Sequence, residues 1–220
     1  MTRTNRNKAL SRDANARRGA DPLQIVGIIV IVLVLAGLTW MLLPKSPSAT
    51  GEKKWSQPPA MTIDPAKTYE ATVTMEKGGQ FVIGLFPDKA PMAVNSFVFL
   101  ARQGYFDGVT FHRVIDGFMA QGGDPSGTGS GGPGYSFANE DSDLKFDKAG
   151  VVAMANAGRD TNGSQFFITY APQPRLDGNY TIFGQVISGM DVVESLTRRD
   201  PTQNPSFSGD IIAKISISEK

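Results

Sequence analysis

Residues 111 to 124 read Phe-His-Arg-Val-Ile-Asp-Gly-Phe-Met-Ala-Gln-Gly-Gly-Asp. Arg113, a permanent cation, stands five positions before the aromatic-thioether pair Phe118 and Met119, with the amide of Gln121 close behind. Such a set binds something apolar that has a polar edge. The ring and the sulfur take up apolar surface, while the guanidinium stays charged at any ordinary pH and presents its N–H donors in a rigid fork. If residues 109–115 and 118–121 are extended, side chains alternate between faces. Arg113 then shares a face with Phe111 and Ile115, and Met119 shares one with Gln121. The Asp116-Gly117 turn folds the two sets together.

Holding those side chains in place requires a frame, and the pattern around them is that of short strands. Residues Tyr69 to Glu76 and Gln80 to Phe86 alternate apolar and polar types around Gly78-Gly79, a hairpin signal. Met92 to Gln103 places Val94, Phe97, Val98 and Ala101 at helical spacing and stops at Gly104. Extended runs follow at 109–115, 118–121, 151–155, 165–170 and 180–186. Asp191 to Arg198 reads as a second helix and Asp210 to Ser218 as a closing strand. Many short strands, Gly-rich turns and only two helices indicate a mainly β antiparallel barrel or sandwich whose helices cover its ends. Periodicity does not choose between these folds.

The chain has 220 residues, enough for one well-packed domain plus an appendage. It contains no cysteine, which excludes disulfides, thiolate nucleophiles and cysteine metal sites. The net charge of +1 hides an asymmetry. Residues 1–54 hold nine Lys or Arg against three Asp or Glu, whereas residues 55–220 hold thirteen against eighteen. The mildly acidic globular part shows no clustered basic face, so no nucleic-acid partner is expected.

Leu23 to Leu43 runs without a charge. At about 1.5 Å per residue it reaches roughly 30 Å, the hydrocarbon thickness of a bilayer. A cleaved signal peptide has an apolar region of only about 7 to 15 residues, so the run is read as one transmembrane helix. Arg3, Arg6, Lys8, Arg12, Arg17 and Arg18 precede it, and only Lys45 follows closely. The positive-inside rule therefore keeps the N-terminus in the cytoplasm and places everything after Pro44 outside the cell membrane. The expected organisation is a basic cytoplasmic tail over 1–22, the transmembrane helix over 23–43, a Pro/Ser-rich linker over 44–66, and a globular domain over 67–220.

Several chemical signals fail on their context. Gly127 to Gly132 satisfies G-x-G-x-x-G but is followed by Pro133 and Gly134 and not by a helix, so it is no dinucleotide fingerprint. His112 is the one histidine, and without cysteine it makes no metal site. Asn162-Gly-Ser-Gln-Phe166 is not the G-x-S-x-G elbow of a serine hydrolase. No cofactor and no metal are expected.

Three further segments belong with the opening stretch. They are Met154-Ala-Asn-Ala-Gly158 with Thr161-Asn-Gly-Ser-Gln-Phe-Phe-Ile168, then Leu176-Asp-Gly178, then Phe183-Gly-Gln-Val186. In order and approximate spacing this set closely resembles the signature of cyclophilins, the cyclosporin-binding class of peptidyl-prolyl isomerases. The similarity extends from about Lys67 to the C-terminus and leaves the first 66 residues outside it. The resemblance implies a closed antiparallel eight-stranded β-barrel capped by two α-helices. It also implies Arg113 as the catalytic residue, with Phe118, Met119, Phe167 and Leu176 lining a proline pocket. Gln121, Gln165 and Asn156, with backbone groups of Ala155 and Ala157, would hold the substrate backbone. Tyr180 would close the pocket, and Gly127 and Thr128 would belong to the glycine-rich loop beside the groove.

The chemistry implied needs few groups. An amide resists rotation by roughly 18 to 20 kcal/mol because the nitrogen lone pair is conjugated with the carbonyl. In an X-Pro bond cis and trans are close in energy, so a catalyst connects two useful states. At the twisted transition state the prolyl nitrogen recovers its lone pair, and a donor aimed at it stabilises that state above the planar one. The partners implied are proline-containing polypeptides, unfolded or newly translocated. A proline-binding or chaperone module with little turnover is the alternative. Arg175 and Tyr180 stand where cyclosporin-sensitive members often carry tryptophan and histidine, which weakens the expectation of cyclosporin binding. Outside the resemblance, Phe118, Met119, Phe167 and Leu176 would read as ordinary core, and Arg113 as a surface ion-pair partner of Asp116.

Overall fold

The computed structural model describes residues 53–220. The expected basic tail, the transmembrane helix and the first part of the linker lie outside the described residues. Among the described residues no helix is long and apolar enough to cross a membrane.

Among the described residues nine strands form one sheet. They are β1 (Tyr69–Met75), β2 (Gln80–Leu85), β3 (Thr110–Phe111), β4 (Arg113–Ile115), β5 (Met119–Gly122), β6 (Val151–Met154), β7 (Phe166–Thr169), β8 (Ile182–Ser188) and β9 (Asp210–Glu219), with helices α1 (Pro91–Arg102) and α2 (Met190–Glu194). The order across the sheet is β3-β9-β1-β2-β8-β6-β7-β5-β4, and every pairing is antiparallel. Since β3 and β4 are separated by His112 alone, the two ends of this row are joined through the chain and the sheet nearly closes into a barrel.

The count of nine, where eight were expected, comes from this point. The run 109–115 is broken at His112 because its first half pairs with β9 and its second half with β5. The break also corrects the alternation read from sequence. Phe111 and Val114 both point into the main core, while Ile115 packs against a second apolar cluster, so Phe111 does not share a face with Ile115.

Helix α1 starts with Pro91, whose fixed φ suits a first helical position. It buries Ala93, Val94, Phe97, Val98, Leu100 and Ala101 against the sheet. Phe97 meets Phe106, Phe166 and Phe183 with ring centroids 5.1, 5.5 and 5.3 Å away, a cluster that fills the barrel interior. The Glu140 carboxylate, from a distant loop, accepts from the N–H groups of Met92 (2.8 Å) and Ala93 (2.9 Å), satisfying donors that the helix itself leaves open. Helix α2 ends at Glu194, earlier than the expected Arg198. There Thr197 N–H donates to Asp210 Oδ2 at 2.6 Å, and the backbone of Arg199 exchanges two hydrogen bonds with Val114, drawing the chain out of the helix.

The expected linker is described from Lys53 onward, where it lies against the domain. Asn95 on α1, buried, accepts from Thr62 N–H at 2.9 Å and donates to the carbonyls of Pro59 (3.3 Å) and Ala60 (3.1 Å). Ile63 joins the core.

Candidate active site

Strands β4 and β5 pair so that Arg113 lies opposite Gln121 and Ile115 opposite Met119. Cross-strand partners share a face, so the cation, the amide and the thioether project together. On that face a second apolar cluster forms, distinct from the barrel interior. Buried Met119, Phe146, Val151, Ala153, Phe167 and Ile182 make its floor, and partly buried Phe118, Ala155, Leu176 and Tyr180 stand around it. Phe167 stacks on Phe146 at 5.7 Å and receives Tyr180 edge-on at 5.4 Å. The result is an apolar patch with an aromatic wall and an open rim.

The rim carries two cations. The guanidinium carbon of Arg113 lies 5.7 Å from the Phe118 ring centroid and that of Arg175 lies 4.8 Å from it, both within cation–π range. Asp116 is engaged elsewhere, accepting from Arg198 Nε at 2.9 Å. Arg113 is therefore not the surface ion-pair partner of Asp116. Among the described residues it forms no ion pair within 4.0 Å, and its guanidinium lies over the Phe118 ring at the cluster's edge.

Behind Arg113 runs a chain of amides. Gln121 Nε2 donates to Gln165 Oε1 at 2.9 Å, and Gln165 Nε2 donates to the carbonyls of Gly129 (3.0 Å) and Gly131 (2.9 Å). The loop that supplies those carbonyls is organised by Asp124, which is fully buried. Its carboxylate accepts from Ser126 N–H and Ser126 Oγ (both 2.7 Å), Gly129 N–H (2.6 Å) and Gly131 N–H (3.1 Å). Burial alone would push the Asp124 carboxyl up, but the hydrogen bonds from Ser126, Gly131 and Gly129 outweigh it and hold the group below its ordinary value. Gly123 lets this segment pass close to β7. Its φ is +88°, and a Cβ there would sit 2.3 Å from the Ser164 carbonyl oxygen.

His112, which breaks the strand, is buried beneath this loop, and neither ring nitrogen has a well-formed hydrogen bond. Burial lowers its pKa, the positive charges of Arg199 and Arg113 act in the same direction, and the Asp124 charge opposes them.

Two cavities flank the rim. One of about 740 Å³ is lined by Gln121, Gln165, Ser164, Tyr135, the loop 129–134 and Lys54. The other, about 450 Å³, is lined by Arg159, Arg175, Leu176, Asn179 and Tyr180. Asn156 and Ala157 line both and form the ridge between them.

Comparison with known proteins agrees with this geometry. Residues 71–217 match the family described as cyclophilin type peptidyl-prolyl cis-trans isomerase/CLD. The chain belongs to this family. Peptidyl-prolyl cis-trans isomerase B of Bacillus subtilis is 47% identical over 127 residues, covering 57% of this chain and 89% of that one. A peptidyl-prolyl cis-trans isomerase of Helicobacter pylori is 42% identical over 163 residues, covering 68% and 99%. Among solved structures, a cyclophilin type peptidyl-prolyl cis-trans isomerase of Cryptosporidium parvum, crystallised in the presence of the dipeptide Ala-Pro, superposes with a TM-score of 0.62 at 38% identity. It covers 69% of this chain and 99% of that one. This cyclophilin is an enzyme that interconverts cis and trans X-Pro bonds.

The structure gathers Arg113, Phe118, Met119, Gln121, Gln165, Phe167, Leu176 and Tyr180 around one rim. Ala155 N–H donates to the Gln165 carbonyl at 2.9 Å and Ala157 N–H to Thr161 Oγ1 at 3.0 Å, so both are engaged within the protein. Asn156 is likewise drawn inward, accepting from Gly158 N–H and donating to Asn162 Oδ1, both at 3.3 Å. Gly127 and Thr128 sit in the glycine-rich loop, with Thr128 exposed, while the cavity wall is made by Gly129 to Gly132 farther along. Lys54 and Tyr135 were not identified from sequence. The first falls in a stretch of linker composition, and the second lies among glycines without periodicity.

Proposed function

We propose that Arg113 accelerates X-Pro rotation by donating an N–H to the prolyl nitrogen as it becomes pyramidal. The proline ring would rest on the cluster of Phe118, Met119, Phe167 and Leu176. The observation that carries this reading is the placement of a guanidinium, in no ion pair within 4.0 Å among the described residues, at the edge of a separate apolar cluster and directly across the strand pair from Gln121. No proton is transferred and no covalent bond forms. The ring is held, the carbonyl side turns, and the donor favours the twisted state over both planar ones. Because the guanidinium stays charged, the chemical step is expected to be insensitive to pH across the neutral range.

The clients we propose are unfolded or newly translocated polypeptides. The motivation is the apolar run Leu23 to Leu43 behind a basic tail, which we read as an anchor with the N-terminus in the cytoplasm and the catalytic domain outside. Protease added to intact cells should then remove the domain and spare the tail, and a fully protected domain would refute the placement.

A holding module with little turnover is the competing reading, motivated by the rim residues Arg175 and Tyr180. One X-Pro peptide, titrated for binding and followed for cis-trans exchange, separates the two. The isomerase reading expects exchange far faster than the uncatalysed tens to hundreds of seconds. Saturable binding with no added exchange would establish the module instead.

A further inference from the structure

Trp55 lies outside the matched family region, which begins at residue 71, in a stretch without helix or strand. Residues 53–54 and 56–58 on either side of it are exposed. Its own ring is half-buried, packed edge-on against Phe99 of α1 at 5.2 Å and beside Tyr105 at 5.9 Å. From that anchorage the segment passes along the outside of the Gly-rich loop. Trp55 N–H donates to the Pro133 carbonyl at 2.8 Å. Gly134 has a φ of +91°, and a Cβ there would lie 2.6 Å from the Trp55 carbonyl oxygen, so the close approach depends on glycine. Farther along, Asn95 holds the same segment through Pro59, Ala60 and Thr62.

A loop of this composition needs support from outside itself. Residues 129–134 include four glycines, and glycine leaves a chain many conformations to lose when it is ordered. Asp124 fixes the start of the stretch through the N–H groups of Gly129 and Gly131, and Gln165 fixes it again through their carbonyls. The Trp55 bond to Pro133 falls just past those contacts. A second route runs through the ring. Tyr105, beside it, has its hydroxyl 3.1 Å from Ser164 Oγ, and Ser164 Oγ donates to the Gly123 carbonyl at 2.7 Å. One route thus reaches Gln165 through the loop and the other through its neighbour Ser164. The Gln165 side chain in turn accepts from Gln121 on β5.

We infer that Trp55 is a positioning residue, whose ring straps residues 129–134 into the shape that receives the substrate backbone, so that a segment of linker composition is part of the working groove. The inference rests on the reading of this groove as the one that binds X-Pro peptides. Without the ring the loop samples other shapes and is ordered only when a peptide binds, which costs about three- to tenfold in affinity. Arg113 and the apolar cluster are carried by other elements, β4, β5, β6 and β7 among them. The maximal rate should therefore change by less than about twofold.

The test uses the full-length chain and one X-Pro peptide, and compares wild type with Trp55→Ala, Trp55→Phe and Val193→Ala, the last opening the buried core at α2 instead. Amide hydrogen exchange of residues 129–134 is read without peptide, affinity by calorimetric titration, and the cis-trans rate at saturation. Trp55→Ala should exchange the loop amides faster, bind the peptide about three- to tenfold more weakly and keep its maximal rate within about twofold. Trp55→Phe, which keeps a ring against Phe99, should restore most of the affinity. Val193→Ala should lower the melting temperature and leave loop exchange and affinity as in wild type. Loop exchange or affinity unchanged in Trp55→Ala, or both altered as much in Val193→Ala, overturns the inference. Because loop exchange is read without substrate and affinity without turnover, absent catalysis in a wild type that still shows these differences would count against the isomerase reading alone.

Discussion

At the scale of single residues, the candidate site is a set of neighbours, some of which type and spacing alone brought together and some of which came together only in the fold. Arg113, Phe118, Met119 and Gln121 lie within nine residues and alternate on paired strands, so a local pattern was enough to join them. Phe167, Leu176 and Tyr180 come from elsewhere in the chain, and only the resemblance of ordered motifs brought them to the same wall. His112 and Asp124 were not assigned roles from sequence, because a buried histidine and a loop-organising carboxylate have no signature in composition. Both make a testable statement about pH. The His112 pKa is lowered from 6.5, chiefly by burial, and the Asp124 pKa is lowered from 3.8 because hydrogen bonds outweigh burial. Each folded value lies below the unfolded one, so each stabilises the fold above the unfolded pKa and loses that contribution as pH falls towards the folded value. Melting temperature followed against pH should therefore drop in two limbs, the first starting near 6.5 and the second below 3.8. In His112→Leu the first limb should be absent. An unchanged first limb in that variant would show that another group titrates there.

At the scale of elements, strands and helices were legible where periodicity or a turn signal was strong. The Gly78-Gly79 hairpin, α1 and β9 stand close to their expected limits. Elements shaped by distant partners were not. The break at His112 arises because one stretch of chain serves two neighbours, β9 and β5, and alternation within a strand does not record which strand lies beside it. Helix α2 stops at Glu194 because Asp210 and Val114 capture the backbone that follows, again from afar. The segment from Lys53 to Ile63 has the Pro and Ser content of a linker, yet Asn95, Pro133 and the rings of Phe99 and Tyr105 fasten it to the domain. Its hold depends on partners contributed by the barrel.

At the scale of the whole molecule, the barrel separates two apolar environments that composition would have merged. The interior, with Phe97, Phe106, Phe166 and Phe183, closes the fold, while the cluster of Met119, Phe146 and Phe167 lies on the other face of the sheet with its rim open. That division turns a set of ordinary core residue types into a binding surface, and it places a charged arginine at the edge of that surface, in no ion pair within 4.0 Å among the described residues. The claim on which the account turns is that this arginine, and not the apolar cluster alone, lowers the barrier to rotation. It is tested most directly by cis-trans exchange of an X-Pro peptide under saturating conditions, comparing wild type with Arg113→Ala. Loss of the one donor aimed at the prolyl nitrogen should reduce the maximal rate by about 10²- to 10³-fold with little change in peptide affinity. An Arg113→Ala enzyme that binds the peptide as before and turns it over as fast as wild type would contradict the mechanism.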